Sequence, residues 1–175
     1  LFGDAGDDFL IGGLGADELT GGAGSDVFSI ATGRIDPEDE PTGANVSFDT
    51  IKDAGDYGDD DIIAFANAGR HDLWFEWVDD SGNSTGSTDE NLRITDWRNG
   101  GGVTIEDWRN LSQPMTAEIQ TADGYRIVAA DVGRLVTEMS SAAFDHLAPG
   151  VSETPVDHIG NGLRKEIAAV WHPIA

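Results

Sequence analysis

A nine-residue period governs the start of this chain. Gly3-Asp4-Ala5-Gly6-Asp7-Asp8-Phe9-Leu10-Ile11 is followed by Gly12-Gly13-Leu14-Gly15-Ala16-Asp17-Glu18-Leu19-Thr20 and Gly21-Gly22-Ala23-Gly24-Ser25-Asp26-Val27-Phe28-Ser29. The sixth position is always aspartate: Asp8, Asp17 and Asp26. The eighth is a large apolar residue: Leu10, Leu19 and Phe28. Glycine at this density weakens any regular helix or strand. A fixed period instead implies stacked coils, each one a supersecondary unit that buries its apolar side chain only against its neighbours. Six residues turn, and three form a short strand that aims one side chain inward. Leu1 and Phe2 fit the last two positions of an earlier repeat, so the array is expected to continue upstream.

The turns have their own chemistry. Glycine accepts the positive φ a tight turn needs and leaves neighbouring carbonyls bare. The sixth-position carboxylate adds to those carbonyls. A cage made only of oxygens suits calcium, which takes six to eight such ligands in flexible geometry; magnesium demands a tighter octahedron. Eight glycines across the three repeats cost about 4–8 kcal/mol relative to alanine. Burying Leu10, Leu19 and Phe28 returns about 5–9 kcal/mol. Alternate repeats share a side of the coil, which brings Asp8 near Asp26. Two carboxylates ~4 Å apart repel by about 4 kcal/mol at an effective dielectric near 20. The array is therefore expected to order only when a cation binds, so that binding and folding are one event. A flexible Gly/Asp linker does not explain three in-register copies. A phosphate loop fits worse: no Gly-x-Gly-x-x-Gly or Gly-Lys-Ser/Thr is present, and the acids would repel phosphate.

Charge narrows the partners. Ten Lys and Arg stand against 33 Asp and Glu, a net charge of −23. Such a balance argues against nucleic acid and suits divalent cations; solubility or a halophilic origin is the plainer explanation of acidity alone. There is no cysteine, hence no disulfide staple and no thiolate metal site. No run approaches the ~18 apolar residues of a transmembrane helix.

Beyond the repeats, residues 30–48 read as an acidic loop, and residues 49–148 as a region that caps the coil. Asp49 and Asp61 each open an Asp-x-Ile unit. Two readings stay open for them: ligands to the last ion, or surface acids between strands. Ile51, Ile62, Ile63 and Phe65 read as strand residues. "NLRITDW" and "VTIEDWRN" flank a glycine-rich turn and predict a hairpin. Trp74, Trp97 and Trp108 are expected to cover the open end of the coil, whose last turn otherwise exposes its core. Asp79, Ser81, Asn83, Thr85, Ser87 and Glu90 fall at EF-hand spacing, but Ser84 replaces the turn glycine, so a solvated hairpin loop is the better reading. Val132, Leu135, Val136, Met139 and Ala143 share one helical face, and Ile159, Leu163, Ile167 and Val170 share another. His71, His146, His158 and His172 lack partners at metal or triad spacing, and no Gly-x-Ser-x-Gly is present, so no enzyme activity is expected from this chain.

The repeats resemble those of bacterial RTX proteins, the hemolysin-type calcium-binding repeats. "DIIAFANAGRHDLWF", "LRITDW", "VTIEDWRN", "AEIQTADG", "LVTEM" and "IAAVW" are similar to the C-terminal block that follows such repeats, especially in RTX adenylate cyclase toxins. The resemblance implies a mainly β fold: a parallel β-roll with a β-rich cap and one or two short helices. It implies calcium as cofactor, held by Asp8, Asp17 and Asp26 with turn carbonyls around Gly6, Gly13, Gly15, Gly22 and Gly24. Asp4 stands where the second glycine is usual. It also implies type I secretion, with linker and uncleaved signal in residues 149–175, an extracellular location and a monomer. The chain then serves calcium-driven folding and export of a larger protein whose upstream part carries any toxin or catalytic activity. An adhesin or surface-layer module that binds glycans through its tryptophans is the alternative.

Overall fold

A computed structural model of the chain describes residues 1–33, 47–52, 60–83, 91–109, 116–140 and 161–174. Most of the acidic loop, the second half of the EF-hand-spaced segment with Thr85, Ser87 and Glu90, and Ala143, His146, His158 and Ile159 lie outside these residues.

The first four strands are β1 (Phe2–Ala5), β2 (Phe9–Gly13), β3 (Glu18–Ala23) and β4 (Val27–Ile30). They do not pair in sequence order. β1 pairs with β3 and β2 with β4, both parallel, so successive coils alternate between two sheets. This follows from the nine-residue coil, which crosses the roll once per repeat. β5 (Phe48–Ile51) then adds to β3, and β6 (Asp61–Phe65) adds to β4, again parallel. The roll thus runs past the third repeat, through Asp49-Thr50-Ile51 and Asp61-Ile62-Ile63.

One further strand joins each sheet of the roll in parallel, and the strands beyond it pair antiparallel. β7 (Leu73–Val78), β8 (Asn91–Asp96) and β9 (Gly102–Ile105) complete the first sheet, in the order β1-β3-β5-β9-β8-β7. The expected hairpin is β8–β9, in antiparallel register. β10 (Thr116–Gln120), β11 (Tyr125–Val128) and β12 (His172–Pro173) complete the second, in the order β12-β11-β10-β6-β4-β2. Both sheets are mixed and neither closes. The fold is mainly β with two helices, α1 (Ala129–Ser140) and α2 (Asn161–Ala169), among the described residues. No helix among them is long and apolar enough to cross a membrane.

One core lies between the sheets. Leu10, Leu19, Phe28, Ile51 and Ile63 supply the roll's inward rungs. Phe75, Ile94, Ile105, Ile119 and Ile127 continue the core into the cap. α1 closes it with Val132, Leu135, Val136 and Met139, the face expected from the sequence, and Ile167, Val170 and Trp171 join them. The tryptophans divide differently from expectation. Trp108 is buried, but Trp74 is only partly so, because strand alternation along β7 turns Leu73 and Phe75 inward instead. Phe75 meets Trp171 edge-to-face, with ring centroids 6.1 Å apart.

Candidate metal centre

The turns of the roll line its two edges. Residues 3–8 stack on residues 21–26 along one edge, and residues 12–17 lie on the other. The second position of each turn is left-handed: Asp4 at φ 77°, Gly13 at 89° and Gly22 at 107°. Asp4 therefore does what glycine does in the later repeats, and aspartate is among the few side chains that tolerate this region. The stacked turns touch backbone to backbone. A Cβ on Gly22 would lie 1.9 Å from the Asp4 carbonyl oxygen, and one on Gly24 would lie 2.4 Å from that of Gly6. The Gly6 N–H donates to Ala23 O at 2.7 Å, which fixes this register.

The sixth-position aspartates form ladders. On the first edge, the Asp8 N–H donates to Asp26 Oδ1 at 2.8 Å, and the Asp26 N–H donates to Asp61 Oδ1 at 2.8 Å. On the second, the Asp17 N–H donates to Asp49 Oδ1 at 3.0 Å. Each carboxylate thus fastens the coil before its own. Asp26, Asp49 and Asp61 are buried, while Asp8 and Asp17 are half-buried. Burial pushes the Asp49 carboxyl up to about 6; the Asp17 N–H acts the other way, and the Asp17 charge adds to the rise. The register places Val103 of β9 opposite Asp49 and Thr116 of β10 opposite Asp61, so both ladders stop at the cap.

These residues fit a hard cation. Oδ2 of Asp8 is buried and accepts no hydrogen bond from the described residues. A buried carboxylate oxygen without a partner is costly. Beside it, a Cβ on Gly3 would lie 2.8 Å from that oxygen and 2.6 Å from the Gly21 carbonyl oxygen. A side chain at Gly3 would fill this oxygen-lined cradle. Among the described residues, no three His, Cys, Asp or Glu side chains converge on one point. An ion here must therefore draw on backbone carbonyls as well as carboxylates, which suits calcium rather than zinc.

Sequence reasoning missed three supporting contacts. Asp7 Oδ1 accepts the Ser25 N–H at 3.0 Å, and Ser25 Oγ accepts the Asp60 N–H at 3.2 Å. The signal was present at the fifth position of the repeat, beside the aspartate ladder. Ser47 Oγ donates to the Gly15 carbonyl at 2.7 Å; nothing local marks that pair.

Residues 1–29 carry RTX repeats. They match the family described as the RTX calcium-binding nonapeptide repeat (4 copies). That family binds calcium, and calcium is the cofactor of these turns. The match ends at Ser29, inside β4, whereas the aspartate ladders run on to Asp49 and Asp61. No curated protein matches the chain.

Proposed function

We propose that this chain is the calcium-binding C-terminal RTX domain of a larger secreted bacterial protein, and that its roll orders on meeting calcium outside the cell after export by a type I system. The observation that carries the reading is the buried, unpartnered Asp8 Oδ2 beside the Gly21 carbonyl. Asp8 and Asp26, with the backbone of Asp4, Gly6, Gly22 and Gly24, would hold calcium along the first edge. Asp17 and Asp49, with Gly13 and Gly15, would do so along the second, and Asp61 closes the first ladder at the cap. Bound calcium supplies positive charge to a row of carboxylates that otherwise repel one another. The chain's own groups do the rest. Left-handed turn residues aim carbonyls at the gap, each aspartate fixes the coil before it, and the apolar rungs exclude water.

The export role draws on the likeness of residues 49–175 to the block that follows RTX repeats in adenylate cyclase toxins. Residues 149–175 would hold the uncleaved signal, and catalytic or toxin activity would lie upstream. The test is a calcium titration of the full chain by circular dichroism, with magnesium as control. Gain of β signal with calcium alone is the expected result. Equal order in excess chelator would defeat the reading.

A further inference from the structure

A second buried polar cluster lies away from the glycine turns, where the roll meets the cap. Its centre is Asp96, the last residue of β8, which is fully buried. Oδ1 accepts the backbone N–H groups of Arg98 at 2.9 Å and Asn99 at 3.1 Å. Oδ2 accepts Asn99 Nδ2 at 2.8 Å and the hydroxyl of Thr32 in a short hydrogen bond. Thr32 follows β4 by two residues, at the start of the stretch expected to be the acidic loop. Its backbone is tied to Asn67, just past β6: the Thr32 N–H donates to Asn67 Oδ1 at 3.0 Å, and Asn67 Nδ2 donates to Thr32 O at 2.6 Å. Asn99 Nδ2 also reaches Asn67 O at 3.3 Å. The Thr32 hydroxyl has one proton and two acceptors in range, Asp96 Oδ2 and Asn67 Oδ1. The shorter contact directs it to Asp96.

This carboxylate differs in kind from that of Asp8. A carboxylate offers about four lone-pair positions, and four N–H or O–H donors surround Asp96. The donors come from β4's end and from the β8–β9 turn, while Asn67 brings in the end of β6. The ends of β4 and β6, neighbours in the second sheet, are therefore fastened to the β8–β9 turn of the first sheet through Asp96 and Asn99, with protein donors alone.

We propose that Thr32, Asn67, Asp96 and Asn99 form a clasp that needs no metal, and that it holds the C-terminal end of the roll in register so that the calcium-dependent coils assemble on a fixed edge. Asp96 is a positioning residue, not a ligand. The second half of this statement rests on the calcium reading above; the first half does not.

The test uses Thr32→Val and Asp96→Asn in the full chain. Thr32→Val keeps the shape and removes one donor. Asp96→Asn turns an acceptor into a donor that faces Asn99 and Thr32. In excess chelator, backbone hydrogen exchange in β6 and β8 is expected to quicken by about tenfold or more in both variants. In calcium titrations the midpoint rises by about two- to fivefold, with the number of bound ions unchanged. Wild-type exchange rates together with a wild-type midpoint in Thr32→Val would overturn the proposal, as would a lost ion in Asp96→Asn, which would make Asp96 a ligand. Should Asp96→Asn fail to fold, Thr32→Val decides alone. A wild-type chain that takes up no calcium would sink the calcium reading, and the exchange rates would still decide the clasp.

Discussion

The backbone N–H of Asp26 donates to Oδ1 of Asp61 at 2.8 Å, across 35 residues of sequence. Asp26 belongs to the third repeat, and Asp61 opens a strand outside the matched family region. The contact makes Asp61 the end rung of the roll. Asp61→Ala leaves the Asp26 N–H buried without this acceptor, and the expected loss is about 1–3 kcal/mol. Asp61→Asn keeps an oxygen at the same place and is expected to lose less stability. Urea unfolding in saturating calcium measures both. Equal losses would show that charge, not the acceptor, is what matters at this position.

Gly22 and Gly6 are both left-handed, but they differ in space. A Cβ on Gly22 meets the Asp4 carbonyl oxygen at 1.9 Å, whereas one on Gly6 meets nothing within 4 Å. Gly6→Ala is expected to cost only the backbone strain, about 1–2 kcal/mol. Gly22→Ala must also push two coils apart, which backbone atoms cannot do without breaking register. Its calcium midpoint should rise well above that of Gly6→Ala. Calcium titration of the two variants side by side checks the order, and indistinguishable midpoints would rule out the stacked-turn geometry.

Some of this was legible in the residues and some was not, for physical reasons. A nine-residue period that crosses the roll once per repeat puts Asp8 and Asp26 on one edge by arithmetic alone, and the structure pairs them. Asp49 and Asp61 were visible as Asp-x-Ile units. Their register was not, because long insertions hide the period between Asp17 and Asp49 and between Asp26 and Asp61. "DLWFEWV" offers two alternating aromatic sets, and alternation cannot say which set faces inward. The partner that decides it, Trp171, is nearly a hundred positions away. The Thr32–Asp96 bond spans 64 residues, and a contact of that range leaves no local pattern.

Asp49 gives the metal-free chain a distinctive pH response. Its carboxyl is raised from 3.8 to about 6 in the fold, chiefly by burial. Between those values the folded chain holds a proton that the unfolded chain has lost. Stability from this residue therefore falls as pH rises from about 4 to about 6, and the charged form weighs against the fold above that window. The gap corresponds to up to about 3 kcal/mol. In chelator, the second edge is expected to be more ordered near pH 4.5 than at pH 7, and Asp49→Asn should remove that difference. Calcium favours the charged form and should reverse the slope. Hydrogen exchange at Asp17 and Leu19 across this pH range is the measurement, and a wild-type profile in Asp49→Asn would exclude Asp49 as its source.

Trp171 lies within the segment expected to carry the export signal, yet it is buried in the same core as Phe75, Val132 and Met139. Its edge-to-face contact with Phe75 comes in addition to the apolar area it buries. Two residues on, Pro173 pairs with Tyr125 and so ties β12 to β11. Trp171→Ala is expected to cost about 3–5 kcal/mol, lost from the cap rather than from the turns. Urea unfolding followed by near-ultraviolet circular dichroism should show that loss, with the number of bound ions preserved. Trp171→Phe keeps an aromatic ring in the core and should recover part of the stability. An alanine variant as stable as the parent would mean that this tryptophan serves recognition during export and not the packing of the cap.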